Sequence, residues 1–356
     1  MYLSKIRFEK TTNCVKILGA GPAGLSAAIV LAQAGFAVVV FERNNDVGGR
    51  FNNDYQGLEN WSNEEDVIED IRRVGLKEGI FCRPIYSGVI YNSELKRLEV
   101  RSETPIFYLL KRGNGSDTID SALKQQAIAT GVEIRFGERK RPEEVDVVAT
   151  GPRIARVVAC GMTFQTDLPD QMHGIFNNEL APRGYAYLLV ADGQATLSTI
   201  LYKEFDKAKG CLMQSVNAFR KLIGRFDVIA PKIWGGFGSF GIPKTAIKNG
   251  RLYVGEAAGF QDFLFGFGIR YAVISGYLAA KSFIEGTDYD KLWKAQLLPR
   301  MKASQSNRML FEIFGDAASW FIWKATGTSK NPSRVMQRIY DWSLPRRLIY
   351  PITAMR

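Results

Sequence analysis

The sequence predicts an α/β protein in which a Rossmann-type dinucleotide-binding domain is interleaved with a β-sheet substrate domain and followed by a helical C-terminal region. Three observations carry this prediction. Residues 15–43, VKILGAGPAGLSAAIVLAQAGFAVVVFER, read as a strand, a glycine turn, an Ala-rich helix and a second strand ending in an acid. Residues 252–272, LYVGEAAGFQDFLFGFGIRYA, hold an apolar run, a bare bend with one carboxylate and the start of a helical period. Between them, VIYNSELKRLEVRSETPIFYLL and RIARVVACGMTF alternate at strand spacing, and GYAYLLVADGQATLSTILY reads as a hairpin turning through Asp192-Gly193.

In the first unit, Gly19 permits the tight bend, Gly21 lets a pyrophosphate approach the backbone, and Gly24 lets helix pack on strand, with Pro22 and Ala23 completing the turn. The helix N-terminus there favours phosphate by about 0.3–1 kcal/mol per interaction. Glu42, followed by Arg43, stands where a carboxylate accepts hydrogen bonds from a ribose diol. An ordinary glycine turn would leave that acid unexplained. Further on, residues 112–137 read as a turn, a helix capped near Ser116 or Asp117, and a strand, while VDVVATG is another buried strand. The stretch EFDKAKGCLMQSVNAFRKLIG reads as a helix. GFGSFG at 236–241 also fits the dinucleotide pattern, but Pro243 follows and no helical period does, so a strand or loop is expected.

Composition excludes several classes. The chain of 356 residues has a net charge of +11, and from Lys291 onward twelve Lys/Arg face only Glu312, Asp316 and Asp341. Four scattered cysteines and a single histidine, His173, rule against a zinc cluster or a histidine-dependent triad, so no metal site is expected. No apolar run of membrane-spanning or signal-peptide length appears, and a cytoplasmic chain with reduced thiols is expected. The tail segment 306–326, SNRMLFEIFGDAASWFIWKAT, reads as one helix, and four of the six tryptophans follow residue 290. Basic charge interleaved with Trp and Tyr suits peripheral contact with a membrane; a helical cap with a solvated basic face is the competing reading. No nucleic-acid-binding module accompanies the charge.

Gly48, Gly49 and Arg50, just past Glu42, resemble the extension found in FAD proteins of the glutathione-reductase type. The order of the remaining segments resembles the geranylgeranyl reductase family of the p-hydroxybenzoate hydroxylase superfamily over most of residues 15–285. Its two late motifs stand here as Gly255-Glu256-Ala257-Ala258-Gly259 and Gly266-Phe267-Gly268-Ile269-Arg270. The resemblance implies FAD as cofactor, with Glu256 on the ribityl chain and the backbone near Gly266, Gly268 and Ile269 on the flavin's pyrimidine edge. Gly255, Arg112, Thr150 and Gly151 belong to the same implied site. It also implies an FAD-binding domain over 13–80, 111–151 and 246–286, a substrate domain over 81–110 and 152–245, and a basic helical region over 287–356.

Departures from the family fall on the substrate side. Thr150-Gly151 stands where the hydroxylases carry Asp-Gly, Phe263 replaces a proline after Asp262, and Tyr185-Ala186-Tyr187-Leu188 keeps only the first aromatic of the reductases' sheet motif. The halogenases' Trp-x-Trp-x-Ile-Pro is missing too. The resemblance points to an FAD-dependent reductase that passes hydride through flavin N5 to C=C bonds of a lipophilic, isoprenoid-like substrate. Tyr185 and Tyr187 are its candidate proton donors. NAD(P)H or reduced ferredoxin would supply electrons, as no second Rossmann unit is apparent. The alternative is a flavin monooxygenase acting on a lipid or secondary metabolite.

Overall fold

The computed structural model describes residues 14–75, 82–329, 331–343, 346, 347 and 350. Expected domain limits at 13 and 80–81, and Lys330 and Arg356 of the basic tail, lie outside the described residues. The chain begins with β1 (Cys14–Leu18), α1 (Pro22–Gln33), β2 (Ala37–Glu42), β3 (Asp54–Glu59), α2 (Val67–Arg73), β4 (Cys82–Ile85), β5 (Ser87–Tyr91) and β6 (Arg97–Arg101). It continues through β7 (Phe107–Arg112), α3 (Ile119–Ala129), β8 (Glu133–Phe136), β9 (Val147–Val148), β10 (Val157–Gln165), β11 (Gln171–Ile175), β12 (Tyr185–Ala191) and β13 (Gln194–Leu201). The remainder is α4 (Ala208–Ile223), β14 (Ile229–Gly238), β15 (Ile247–Lys248), β16 (Arg251–Tyr253), α5 (Ile269–Glu285), α6 (Tyr289–Gln296), α7 (Leu298–Phe314), α8 (Asp316–Gly327) and α9 (Pro332–Tyr340).

A six-stranded sheet ordered β15-β16-β9-β1-β2-β8 forms the Rossmann-like layer, parallel except for the β15–β16 hairpin. Its central strands are nearly continuous apolar runs because helices cover them; Ile17 and Val40 are fully buried. α1 is small and apolar all round, and α5 lies against it at backbone distance. A Cβ added at Gly276 would stand 2.2 Å from the Ala23 carbonyl oxygen, and one at Gly255 would stand 2.9 Å from Ala23 Cβ.

A seven-stranded sheet ordered β14-β10-β13-β12-β11-β5-β6 forms the second layer. Asp192 and Gly193, both at positive φ, make the two-residue hairpin turn between β12 and β13. α4 packs on β13, β10 and β12 and covers Cys160, Met162 and Phe164 on one face of this sheet. The small sheet β3-β7-β4 links the layers: Tyr55 donates its N–H to Thr196 Oγ1 and its hydroxyl to the Ala191 carbonyl. β7 runs through residue 110, where the sequence places a domain limit.

Two local expectations change. α3 is capped by Thr118, not Ser116 or Asp117; its hydroxyl accepts from the Ser121 N–H and donates to the Gly113 carbonyl, which ties the cap to the preceding turn. The tail segment 306–326 is two helices, since Gly315 at φ +58 ends α7 and turns the chain into α8. No helix among the described residues is long and apolar enough to cross a membrane.

Gly276→Ala should overpack the α1–α5 contact and cost on the order of 1–3 kcal/mol. Thermal or urea unfolding of the variant beside the parent protein checks this.

Candidate functional site

A cavity of about 650 Å³ opens between the carboxyl ends of the Rossmann-like strands and the face of the seven-stranded sheet turned away from α4. Every site residue expected from the sequence borders it except Gly24, Tyr185 and Tyr187 included. Gly24 sits one layer behind: a Cβ there would lie 2.0 Å from the Gly19 carbonyl oxygen, so glycine lets α1 start against the turn. Gly19 needs glycine twice over, for its φ of +105 and for the Ala149 carbonyl beside it.

Gly21 differs from both. A Cβ there would meet no atom within 4 Å, and the residue faces the cavity. It is also the N-cap of α1, with no side chain capping the helix. The first-turn N–H groups are therefore left for an anion in the cavity. Glu42 ends the neighbouring strand and frames the same space. Its Oε2 accepts from the Ala20 N–H at 2.9 Å, and its Oε1 accepts from the N–H and Nδ2 of Asn44. These bonds fix the carboxylate's direction.

Two loops reach the cavity from the side. Arg50 donates from Nη1 to Glu256 at 3.0 Å and from Nη2 to the Phe237 carbonyl at 2.8 Å, joining the Gly48-Gly49-Arg50 turn to the Gly255–Gly259 turn and to β14. Burial raises the Glu256 pKa, while Arg50 and then Arg112 oppose the shift. Arg112 itself makes a bidentate, buried pair with Asp120 and stacks 4.0 Å over the Phe51 ring. It borders the cavity chiefly by holding that loop in place. Opposite, Gln261 donates to the Gly266 carbonyl at 2.7 Å, and Gly268 caps α5. GFGSFG is the end of an edge strand and its bend, with Gly235 to Gly238 along the cavity wall and no helix after it.

The far end of the cavity is apolar. Trp61, Phe107, Leu189, Phe265 and Phe267 line it, with Trp61 edge-on to Phe267 at 5.4 Å. Trp323 of α8 closes this wall, 5.5 Å from the Phe176 ring and 6.1 Å from Phe265. Sequence reading grouped Trp323 with a surface tail; its partners lie about sixty to one hundred and fifty residues away, and nothing local signals them. The tail's arginines also turn inward: Arg308 lies 3.9 Å over Tyr202 and donates to the Arg183 carbonyl. Trp293 is fully buried against Phe260.

These elements place the chain among known folds. The NAD(P)-binding Rossmann-like domain model matches residues 17–58. Digeranylgeranylglycerophospholipid reductase 2 of Methanococcoides burtonii is 22% identical, over 80% of each chain. The reductase of that name from Methanosarcina acetivorans is 24% identical over 79% of this chain and 80% of its own. The solved geranylgeranyl bacteriochlorophyll reductase-like protein of Thermoplasma acidophilum superposes with a TM-score of 0.72 at 16% identity, covering 91% of this chain and 94% of that one. The chain is similar in sequence to these reductases and shares the fold of the Thermoplasma protein. It has the fold of the FAD-dependent oxidoreductases, shared also with a flavin-dependent brominase at a TM-score of 0.64 and 17% identity, over 96% of this chain and 99% of the other.

The acid–base inventory of the walls is sparse. Burial pulls the His173 pKa down to about 4, with the Arg97 charge adding to it, so the imidazole stays neutral in ordinary buffers. Tyr185 donates its proton to the Phe265 carbonyl at 2.7 Å, and burial raises the pKa of Tyr185 and of Tyr187. No group of three or more His, Cys, Asp or Glu among the described residues could hold a metal. One acid escaped sequence reading. Glu59, at the end of β3, is directly opposite the cavity residue Phe107 in the sheet and is 2% exposed. Its Oε1 accepts from Ser62 and its Oε2 has no hydrogen-bond partner among the described residues. Burial lifts its pKa from 4.5 to about 7, against the pull of Arg270.

A folded pKa above the unfolded one means that Glu59 stabilises the fold fully below about pH 4.5 and that this contribution is lost as pH rises toward 7. Glu59→Gln should remove that slope. Its stability relative to the parent protein should rise between pH 5 and pH 8 by on the order of 1–3 kcal/mol, read by denaturant unfolding at the two pH values.

Proposed function

We propose that this chain is a flavin-dependent reductase that adds hydrogen across C=C bonds of a lipophilic, isoprenoid-like substrate. One observation carries the reading: a glycine-walled space suited to a dinucleotide opens into an aromatic and aliphatic compartment without charged side chains at its end. The names of the two archaeal relatives point to substrates of that lipid class.

The residues present fit FAD. The open face of Gly21 and the uncapped start of α1 would take the pyrophosphate, Glu42 the adenosine ribose, and Glu256 with Arg50 the ribityl chain. Gly266 and Gly268 leave bare backbone for the ring system. When bound, FAD supplies hydride transfer at N5. The chain's own tasks are then to orient the lipid, exclude water and deliver a proton. Trp61, Phe265 and Trp323 perform the first two by packing. For the proton we favour Tyr187, which pairs with Ser198 across the sheet, over Tyr185, whose hydroxyl donates to the Phe265 carbonyl. Electrons would come from transiently docked NAD(P)H or from a carrier such as ferredoxin.

Anaerobic reduction of the flavoprotein, followed by addition of a polyprenyl lipid, tests the reading. Rapid reoxidation with loss of one double bond in the product is expected. Reoxidation by oxygen alone, with oxygen added to the product, would replace it by the monooxygenase reading. Tyr187→Phe should slow the lipid-dependent step about 10-fold to 100-fold while flavin content is kept. Glu42→Ala should weaken FAD binding by about the same factor in a fluorescence titration of the stripped protein.

A further inference from the structure

The edge of the seven-stranded sheet carries a second apolar feature, whose isoleucines lie outside the cavity and whose Phe237 stands at the cavity rim. Ile229, Ile233 and Phe237 of β14 are 51%, 62% and 43% exposed, and Ile154, just before β10, is 63% exposed. Ile233 and Phe237 pair with Met162 and Val158 of β10, on the face that α4 covers elsewhere and leaves open here. On the reverse face of the same strand, Trp234 lies against Gly161 and borders the cavity.

The charge around this stripe is mainly positive, with the exposed Asp167 and Asp227 at its Ile229 end. Residues 147–166 and 228–255 hold six Lys/Arg and no Asp or Glu. Arg153, Arg156, Lys232 and Lys244 among them are exposed. The edge is also a poor template for a further strand. Pro231 lacks an N–H, Ala230 sits at φ +48, and the pairing with β10 shifts register between Thr163 and Gln165. Antiparallel pairing with a second copy would bring Lys232 toward its own equivalent. A surface that needs side chains rather than backbone hydrogen bonds, and that is negatively charged, meets none of these obstacles.

We infer that the β14 edge, with Ile154, Ile233 and Phe237 flanked by Arg153, Arg156 and Lys232, docks the protein on an anionic lipid bilayer. Apolar side chains enter the interface while the cations meet headgroup phosphates. The strand then has one side on the bilayer and the other on the cavity. This takes from the proposed function its lipid substrate, and places the point of attachment on the edge strand instead of the basic C-terminal tail.

Co-sedimentation of the full FAD-loaded chain with vesicles of phosphatidylcholine alone, or with about one third phosphatidylglycerol, tests it. Binding to the anionic vesicles should be at least about tenfold stronger and should fall with added salt. The pair Ile154→Asp with Ile233→Asp should lose about tenfold or more, and Lys232→Glu alone a few-fold. The tail pair Lys324→Glu with Arg334→Glu should bind as the parent protein does. Should the isoleucine pair fail to fold, Lys232→Glu still decides. Failure to bind either vesicle, binding that survives the edge substitutions, or binding lost only in the tail pair would overturn the inference. So would a dimer that Ile233→Asp dissociates. A chain that binds vesicles but leaves polyprenyl lipid unreduced sinks the substrate reading alone; one that reduces detergent-dispersed lipid yet ignores vesicles sinks the docking face alone.

Discussion

The close approach of α1 and α5 is the constraint on which the site depends. Two glycine turns more than two hundred residues apart must share one floor, and they do so only because Gly255 and Gly276 let the later segment reach the backbone at Ala23. Ser275 locks the arrangement by accepting from the Gly255 N–H at 2.9 Å and donating to the Ala272 carbonyl. Any side chain in this seam would separate the turn that faces phosphate from the turn that carries Glu256.

Ion pairs then set the directions of the loops around that floor. Arg50 with Glu256 and Arg270 with Asp70 join segments about two hundred residues apart, the second pair almost wholly buried, while Arg112 with Asp120 closes the turn between β7 and α3. Buried pairs of this kind contribute little net stability, because desolvation offsets much of the attraction. Their effect is geometric: in the Arg112–Asp120 and Arg270–Asp70 pairs each partner left alone would be a charge without solvent, so those loops have one arrangement. Arg270 shows this well, since it also donates to the Glu65 carbonyl and so anchors the turn before α2.

The parts of this design legible in the sequence are those encoded locally. β1, α1 and β2 announce themselves by period and by the positions of three glycines, and the hairpin at Asp192-Gly193 needs only its own two residues. Adjacent cap formers at 116–118 compete on equal terms until Thr118 finds the Gly113 carbonyl, which no spacing reveals. Gly315 sits in a run whose apolar spacing continues on both sides, so the helix break is invisible without the backbone's turn. Glu59 and Trp323 are harder still: one is an acid whose burial depends on strands assembled around it, the other an aromatic whose neighbours are Phe176 and Phe265.

Trp323 has a bearing on how the protein is made. The residues that frame the cofactor space end at Ile269, whereas the apolar wall lacks a side until α8 has been synthesised and folded back. Domains form as the chain emerges. The dinucleotide half of the cavity is thus complete in the nascent chain while its far end still stands open, so the cofactor space takes shape before the apolar compartment does.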